Sequence, residues 1–139
     1  MKRVVIDTGV IVSALIKKEG ISRIAFLTAI EVCVPLIAVD TLIELEEVLS
    51  RPKFNRFFSS EDQVSIIASI IDRGQLIEVN SSVELCRDST DNKFINLALD
   101  GKADVILSGD PDLLSLNSIS NILVLNPSDF LVWIKQSNS

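Results

Sequence analysis

Residues 86–116 constrain the fold of this chain most, because they combine a helical pattern, a short apolar run and several acids. Apolar residues recur at helical spacing after Asp91 and stop at a glycine, which predicts a helix. Residues 103–107 are too few for a helix and are followed by Ser-Gly, so they predict a short buried strand. Asp110 and Pro111 then predict the cap and the first position of another short helix. The stretch is therefore predicted to form helix, strand, acidic turn and helix.

The acids of this stretch fall at two places that a parallel sheet brings together. Asp88 and Asp91 stand at the start of the predicted helix, and Asp110 and Asp112 come just beyond the predicted strand. The carboxyl ends of parallel strands meet at one edge of the sheet, and open α/β sheets bind ligands at that edge. The stretch therefore predicts an acidic ligand site.

The rest of the chain alternates strand and helix patterns. Residues 2–6 predict a central parallel strand with Asp7 at its carboxyl end. Further strands are predicted at 32–36, 76–79 and 122–125, and helices at 10–16, 22–30, 40–51, 60–73 and 127–135. Ser60 with Gln63 is interpreted as a capping box. This alternation predicts an α/β three-layer sandwich with a mainly parallel central sheet flanked by helices. We expect a single domain at 1–135 and a frayed tail at 136–139.

Composition excludes several kinds of chemistry. The 139 residues include no histidine and no tyrosine, which rules out Ser-His-Asp and Cys-His nucleophile systems and the usual zinc sites. The two cysteines have apolar neighbours and are interpreted as core residues. The chain passes from Met1 directly into a strand without an apolar signal region, so we expect a cytoplasmic protein without a membrane partner.

A glutamate on the third predicted helix is the remaining candidate acid. Glu44 and Glu46 flank the buried stripe of that helix on opposite sides, so angle alone does not choose between them. Glu44 lies about 3 Å nearer the helix start, at the carboxyl edge of the sheet. Glu44 is therefore the better candidate to approach Asp7.

One segment combines basic and aromatic side chains. Arg51, Lys53 and Arg56 alternate with Phe54, Phe57 and Phe58, and Lys17, Lys18 and Arg23 are further basic residues. Such a stretch suits a groove for single-stranded RNA, although a loop with core phenylalanines explains it equally simply. The net charge of −6 argues against general nucleic-acid binding, but part of that charge is the proposed acidic site.

Four motifs in order resemble the PIN domain family, and most of all its toxin components of toxin–antitoxin systems, across essentially the whole chain. The motifs are Asp7-Thr8-Gly9 after the first strand, Glu44, the pair Asp88 and Asp91, and Ser108-Gly109-Asp110-Pro111-Asp112. The sequences Arg-Pro-Lys-Phe at 51–54 and Asp-Asn-Lys-Phe at 91–94 are similar to that family too. Gly9 departs from the pattern, because the family usually has asparagine there.

The resemblance implies a PIN-like fold and a metal-dependent ribonuclease that cleaves single-stranded or structured RNA. It implies Asp7, Glu44, Asp91 and Asp110 as catalytic metal ligands, with Thr8, Asp88, Ser108 and Asp112 supporting them. It also implies an antitoxin protein as a partner and leaves homodimer formation open.

Carboxylate chemistry supports a metal independently of the resemblance. Two carboxylates about 4 Å apart repel by roughly 4 kcal/mol at an effective dielectric constant near 20, so four would not stay ionised unaided. A divalent cation removes that repulsion, and oxygen ligands without histidine or thiolate favour Mg²⁺ or Mn²⁺ over Zn²⁺. The cation also activates water and stabilises charge on a phosphate.

Other interpretations of the same residues stay open at this stage. Asp91 and Asp110 also suit helix caps and turns, and Glu44 suits the dipole of its helix. The acids on either side of Pro111 resemble the acidic pair of Toprim-like phosphate enzymes. That pattern, however, has glutamate at the position of Asp7. Gly9 leaves a catalytically inactive PIN-like binding module as a third reading.

Overall fold

The computed structural model describes residues 1–137. The strands of this part are β1 (Lys2–Ile6), β2 (Cys33–Ile37), β3 (Gln75–Leu76), β4 (Val105–Leu107), β5 (Ser118–Ile119) and β6 (Ile122–Leu125). The α-helices are α1 (Thr8–Ile16), α2 (Ile21–Val32), α3 (Val39–Leu49), α4 (Ser60–Arg73), α5 (Asn92–Asp100), α6 (Pro111–Leu114) and α7 (Pro127–Ser137). Two 3-10 turns occur at Pro52–Phe54 and Ser89–Asp91. Every helix in residues 1–137 is too short or too polar to span a lipid bilayer.

The strands form one sheet in the order β3-β2-β1-β4-β6-β5, in which all neighbours are parallel except the pair β5 and β6. Strands β2 and β3 extend the sheet on one side of β1, and strands β4, β6 and β5 extend it on the other. The direction in which successive strands are added therefore reverses between β1 and β4. In open α/β sheets this switch point leaves a crevice at the carboxyl ends of the strands. Asp7 follows β1 there, and its backbone N–H donates to the Leu107 carbonyl at the end of β4.

Helices cover both faces of the sheet because adjacent strand residues point to opposite sides. Val4 and Val105 pack with residues of α1, α2 and α7, whereas Val5 and Ile106 pack with α5 and α6. A third apolar cluster joins α1 and α2 to α3 and α4. The predicted α/β three-layer sandwich is therefore confirmed, and the crevice lies at the carboxyl ends of β1 and β4 in its middle layer.

Several predicted boundaries are wrong in detail. The capping box of α4 uses Ser59 and Asp62, one residue before the predicted pair. The third strand covers only Gln75–Leu76, and the antiparallel strand β5 was not predicted. Helix α7 continues to Ser137, two residues past the predicted end, so residues 136 and 137 are helical instead of frayed. The remaining predicted tail, 138–139, lies outside the described residues.

Candidate active site

Asp7 is a buried carboxylate held by two hydrogen bonds at the carboxyl end of β1. It precedes α1 as the N-cap, where Oδ1 accepts the Gly9 N–H at 3.3 Å and Oδ2 accepts the Ser108 hydroxyl at 2.7 Å. Burial raises the pKa of Asp7 in spite of these bonds, and the charges of Asp110 and Glu44 raise it further. A nearby cation would therefore stabilise its ionised form.

Asp91 ends the 3-10 turn before α5, and its side chain makes no capping hydrogen bond to that helix. Only 7% of the residue is exposed, and no hydrogen-bond partner within residues 1–137 reaches its buried Oδ2. Burial, a hydrogen bond between the protonated carboxyl group and Asp110, and the negative charge of Asp110 together raise the pKa of Asp91 to about 7. The interpretation of Asp91 as an ordinary helix cap is therefore wrong, because its side chain makes no hydrogen bond to the start of α5.

Asp110 is the predicted N-cap of α6, where its Oδ1 accepts the Asp112 N–H at 2.8 Å. The fully buried Ser108 hydroxyl donates to Asp7 and accepts the Asp110 N–H at 3.0 Å. This single hydroxyl joins the residue after β1 to the turn after β4. Ser108 therefore orients two of the predicted site acids.

Three carboxylates lie close enough together to bind one cation. One oxygen each from Asp91, Asp110 and Asp112 lies within 4.8 Å of the others. This arrangement is costly without positive charge, as the raised pKa of Asp91 indicates. The oxygen-only donor set and the partnerless Oδ2 of Asp91 both fit a divalent ion such as Mg²⁺ or Mn²⁺.

Glu44 lies on α3 outside this group of three, and its carboxylate has two close partners. Thr8 donates its hydroxyl to Oε2 at 2.7 Å, and the Lys93 ammonium lies 3.0 Å from Oε1. Both members of the ion pair are mostly shielded, with side chains 20% and 24% exposed. The charge of Glu44 nevertheless reaches Asp7. Glu44 therefore stands beside the crevice with its charge balanced by lysine.

Asp88 and Arg87 form the exposed outer side of the site. The Asp88 carboxylate accepts both the N–H and the hydroxyl of Thr90, which lowers its pKa. Arg87 lies 3.3 Å from the Asp112 carboxylate, with its own side chain 90% exposed. Asp88 thus caps the 3-10 turn that delivers Asp91.

The basic and aromatic segment is split between surface and core. Phe58 is buried and stacks on Phe54 with ring centroids 5.8 Å apart, so these rings belong to the core. Arg51, Lys53 and Arg56 are exposed. Arg51 pairs with a glutamate of α3, while Lys53 and Arg56 lie over phenylalanine rings. The cations therefore remain on the surface, as an RNA-binding segment requires.

Two openings flank the acids. The first, which we name the Lys93 groove, has a volume of about 540 Å³ and is lined by Asp40, Ile43, Glu44, Glu47, Arg51, Thr90 and Lys93. The second, which we name the Ser22 cleft, has a volume of about 730 Å³ and is lined by Asp7, Gly9, Val10, Ser13, Ile21, Ser22, Gly109, Asp110, Pro111, Asn126, Pro127 and Ser128. Asp7 and Asp110 therefore line a cleft without cations, whereas Glu44 lines a groove that holds two cations and two further acids.

The family model described as "PIN domain" matches residues 3–112, a range that contains all of these acids. The chain belongs to the PIN domain family. It is 36% identical over 126 residues to the uncharacterised protein MJ1680 of Methanocaldococcus jannaschii, covering 89% of this chain and 81% of that protein. The resemblance inferred from the four sequence motifs is thereby confirmed.

A solved structure with a similar fold is that of VapBC2 from Rickettsia felis bound to a DNA fragment from their promoter. The likeness has a TM-score of 0.55 at 16% identity and covers 89% of this chain and 98% of that chain. At that identity the match supports the PIN fold alone.

The sequence does not predict two features of this PIN domain. The resemblance implies only a supporting role for Asp112, yet its carboxylate lies in the group of three. Its signal was the position two residues after a helix cap, in the first turn of α6. In the sequence Lys93 stands out only as part of a motif, and its pairing with Glu44 joins helices that are distant in sequence.

Proposed function

We propose that this PIN domain is a metal-dependent endoribonuclease that hydrolyses phosphodiester bonds of single-stranded or structured RNA with Mg²⁺ or Mn²⁺. The observation that carries the proposal is the buried, partnerless oxygen of Asp91 within a group of three carboxylates. Burial and the neighbouring Asp110 carboxylate make the ionised form of Asp91 costly to the fold, which points to a functional role. Its place at the switch point of the sheet agrees with ligand binding.

The proposed catalytic residues and metal ligands are Asp7, Glu44, Asp91 and Asp110. Thr8 orients Glu44, and Ser108 orients Asp7 and Asp110, through the hydrogen bonds described above. Asp88 supports the turn before Asp91, and Asp112 contributes a further carboxylate.

A divalent ion held by these acids supplies Lewis acidity toward water and phosphate oxygens. Hydrogen bonds from Thr8 and Ser108 hold Glu44, Asp7 and the backbone of Asp110 in position. The Lys93 ammonium already balances the charge of Glu44. Most of the uncompensated negative charge is therefore carried by Asp7, Asp91 and Asp110.

We assign the approach of the RNA backbone to the exposed cations Arg51, Lys53 and Arg56. Arg51 lines the Lys93 groove, so this segment is continuous with the flank of the site that carries lysine. Cations along such a path neutralise phosphates, and adjacent aromatic rings favour unpaired bases. Phe57, which is partly exposed, is the ring available at this surface.

Membership of the PIN family and the likeness to VapBC2 support a toxin role in which an antitoxin protein is the partner. We further propose that the protein acts in the cytoplasm. Co-expression with the product of a neighbouring small open reading frame tests the partner. Formation of a stable complex that suppresses RNA cleavage is the expected result, and a homodimer is tested by the mass of the free protein in solution.

Cleavage of RNA by the purified protein tests the activity. Wild type and Asp7→Asn are compared in Mg²⁺, in Mn²⁺ and in chelator, on end-labelled RNA and on DNA of the same sequence. Asp7→Asn is expected to lower the metal-dependent rate by about a hundredfold or more, because a buried anionic ligand is lost while shape is kept.

Asp72→Asn, an exposed substitution on α4, is the matched control and should cleave like wild type. Equal rates for wild type and Asp7→Asn would indicate a contaminating nuclease. An absence of RNA cleavage by wild type under all metal conditions would favour an inactive binding module, and cleavage of DNA alone would exclude the ribonuclease.

A further inference from the structure

The Ser22 cleft is the larger of the two openings beside the acids, and the proposed chemistry leaves it unassigned. Asp7 and Asp110 form its inner end, while residues near the starts of α1, α2 and α7 form its walls. Its volume of about 730 Å³ falls within the usual range for small-molecule sites, roughly 300–1,000 Å³. The cleft is therefore large enough to admit one unit of a polymer next to the reacting bond.

No lysine or arginine is among the residues that line this cleft. Asp7 and Asp110 are the charged residues among those that line the cleft, and both are acids. The Lys93 groove on the other flank contains two cations, Lys93 and Arg51, which pair with its acids Glu44 and Glu47, and a third acid, Asp40. Phosphate affinity comes mainly from lysine and arginine, so the RNA backbone is favoured on the flank where the exposed Arg51 continues into the exposed Lys53 and Arg56. The cleft is left for an uncharged part of the substrate.

The remaining lining suits a nucleobase. Serine hydroxyls at 13, 22 and 128 offer both donors and acceptors, and Pro111 and Pro127 offer apolar ring surface. The Oδ1 of Asn126 already accepts the N–H of Asp129 at 2.8 Å, so its amide NH₂ is the group that it offers a ligand. Sequence-selective proteins read unpaired RNA bases by such contacts to their edges and faces.

Two glycines keep the inner end of the cleft open. A Cβ atom at Gly109 would meet no heavy atom within 4 Å, and one at Gly9 would meet only the Asp7 carboxylate at 3.8 Å. Neither glycine is therefore required by packing against its neighbours. At Gly9, the departure from the asparagine usual in this family leaves space directly beside Asp7.

We propose that the Ser22 cleft binds one unpaired nucleoside of the RNA, on the side of the scissile phosphate away from the Lys93 groove. Its role in cleavage rests on the proposed ribonuclease function, but its capacity to bind a nucleoside does not. The cleft thereby makes cleavage depend on the identity of one base flanking the cut.

Glycine-selective ¹⁵N labelling tests binding without metal or catalysis. The chain has five glycines, so its amide spectrum is simple to assign. Adenosine, cytidine, guanosine and uridine, which lack phosphate, are titrated separately at millimolar concentration. We expect at least one to shift the Gly9 and Gly109 signals in a saturable manner, while those of Gly74 and Gly101, outside the cleft, stay in place. Equal behaviour of all these signals with every nucleoside would overturn the proposal.

Cleft-filling variants test the role in cleavage. Ser22→Leu narrows the wall formed by α2, away from the acids, and Gly109→Leu fills the inner end. Each should abolish the nucleoside-induced shifts and lower cleavage of RNA roughly tenfold or more, which is the typical effect of losing contacts in a substrate pocket. The preference for the flanking base should weaken in both.

Ser65→Leu, an exposed substitution on α4 outside the cleft, is the control and should leave shifts and cleavage unchanged. Nucleoside-induced shifts without RNA cleavage by wild type would refute the nuclease and retain the binding site. RNA cleavage with unchanged rate and base preference in Ser22→Leu would refute the role of the cleft and retain the nuclease.

Discussion

Replacing Asp91 by asparagine should stabilise the metal-free protein at neutral and alkaline pH, and progressively less as the pH falls towards 4. Burial and Asp110 raise the pKa of Asp91 from 3.8 to about 7. The folded protein therefore holds a proton that the unfolded chain releases, so stability falls as pH rises between these values. Below about pH 4 the carboxyl group is protonated in both states and the penalty is absent.

The size of the effect follows from the same difference in pKa. A change from 3.8 to about 7 corresponds to on the order of 4 kcal/mol. Asp110 and Asp112 are partly exposed, and water at the open crevice screens their charges, so we expect roughly half of that value. The free energy of unfolding of Asp91→Asn should therefore exceed that of wild type by about 2 kcal/mol near pH 8, which raises its urea midpoint, and should match wild type near pH 4.

Urea unfolding in the presence of a chelator measures this difference, with Asp88→Asn as the matched control. Asp88 lies three residues earlier, and hydrogen bonds from Thr90 hold its pKa below the usual range. Its charged form is favoured by the fold, so its removal should give no stabilisation near pH 8. The two neighbouring acids are thus expected to behave differently in one assay.

Magnesium should reverse the order of wild type and Asp91→Asn. An ion that binds only the folded wild type adds about 3 kcal/mol at a concentration a hundredfold above its dissociation constant. The variant lacks one ligand and should gain less. Lower stability of Asp91→Asn near pH 8 in chelator would refute the reasoning, because it would mean that the carboxylate stabilises the apo fold.

Two further predictions concern packing and charge. Gly74→Ala should destabilise the fold by roughly 1–3 kcal/mol, because its Cβ would lie 2.5 Å from a backbone oxygen of α4, whereas Gly109→Ala should leave the urea midpoint unchanged. An unchanged urea midpoint for Gly74→Ala would contradict this, because it would show that the end of α4 readjusts to the added methyl group. A double-mutant cycle with Glu44→Gln and Lys93→Gln should give a coupling of roughly 1 kcal/mol, because both side chains are mostly shielded. Additive effects of the two substitutions would contradict the ion pair.

Local patterns sufficed to predict most of the fold. The bounds of β1 and β6 match the structure, because each is an apolar run with clear turn residues around it. Asp110 was correctly predicted as a cap because cap and proline are adjacent in sequence. The capping box of α4 was misplaced by one residue, since Ser59 and Ser60 both satisfy the local pattern and tertiary packing decides between them.

The site itself was predictable in outline only. Acids after β1 and β4 meet because the strands are neighbours, which the α/β pattern implies. The Ser108 hydroxyl that links Asp7 and Asp110, and the Lys93 ammonium on Glu44, depend on how distant elements pack. No periodicity in the sequence encodes such contacts, so the balance of charge at the crevice emerges only from the structure.

Anomalous diffraction from crystals soaked in Mn²⁺ tests the central claim most directly, because it locates the ion independently of activity. The account predicts a Mn²⁺ peak at the crevice between β1 and β4, at roughly 2.0–2.3 Å from carboxylate oxygens that include Asp91 and Asp110. The peak should be lost in Asp91→Asn. A fully soaked crystal with no peak at these acids, or a peak unchanged in Asp91→Asn, would contradict the proposed metal centre.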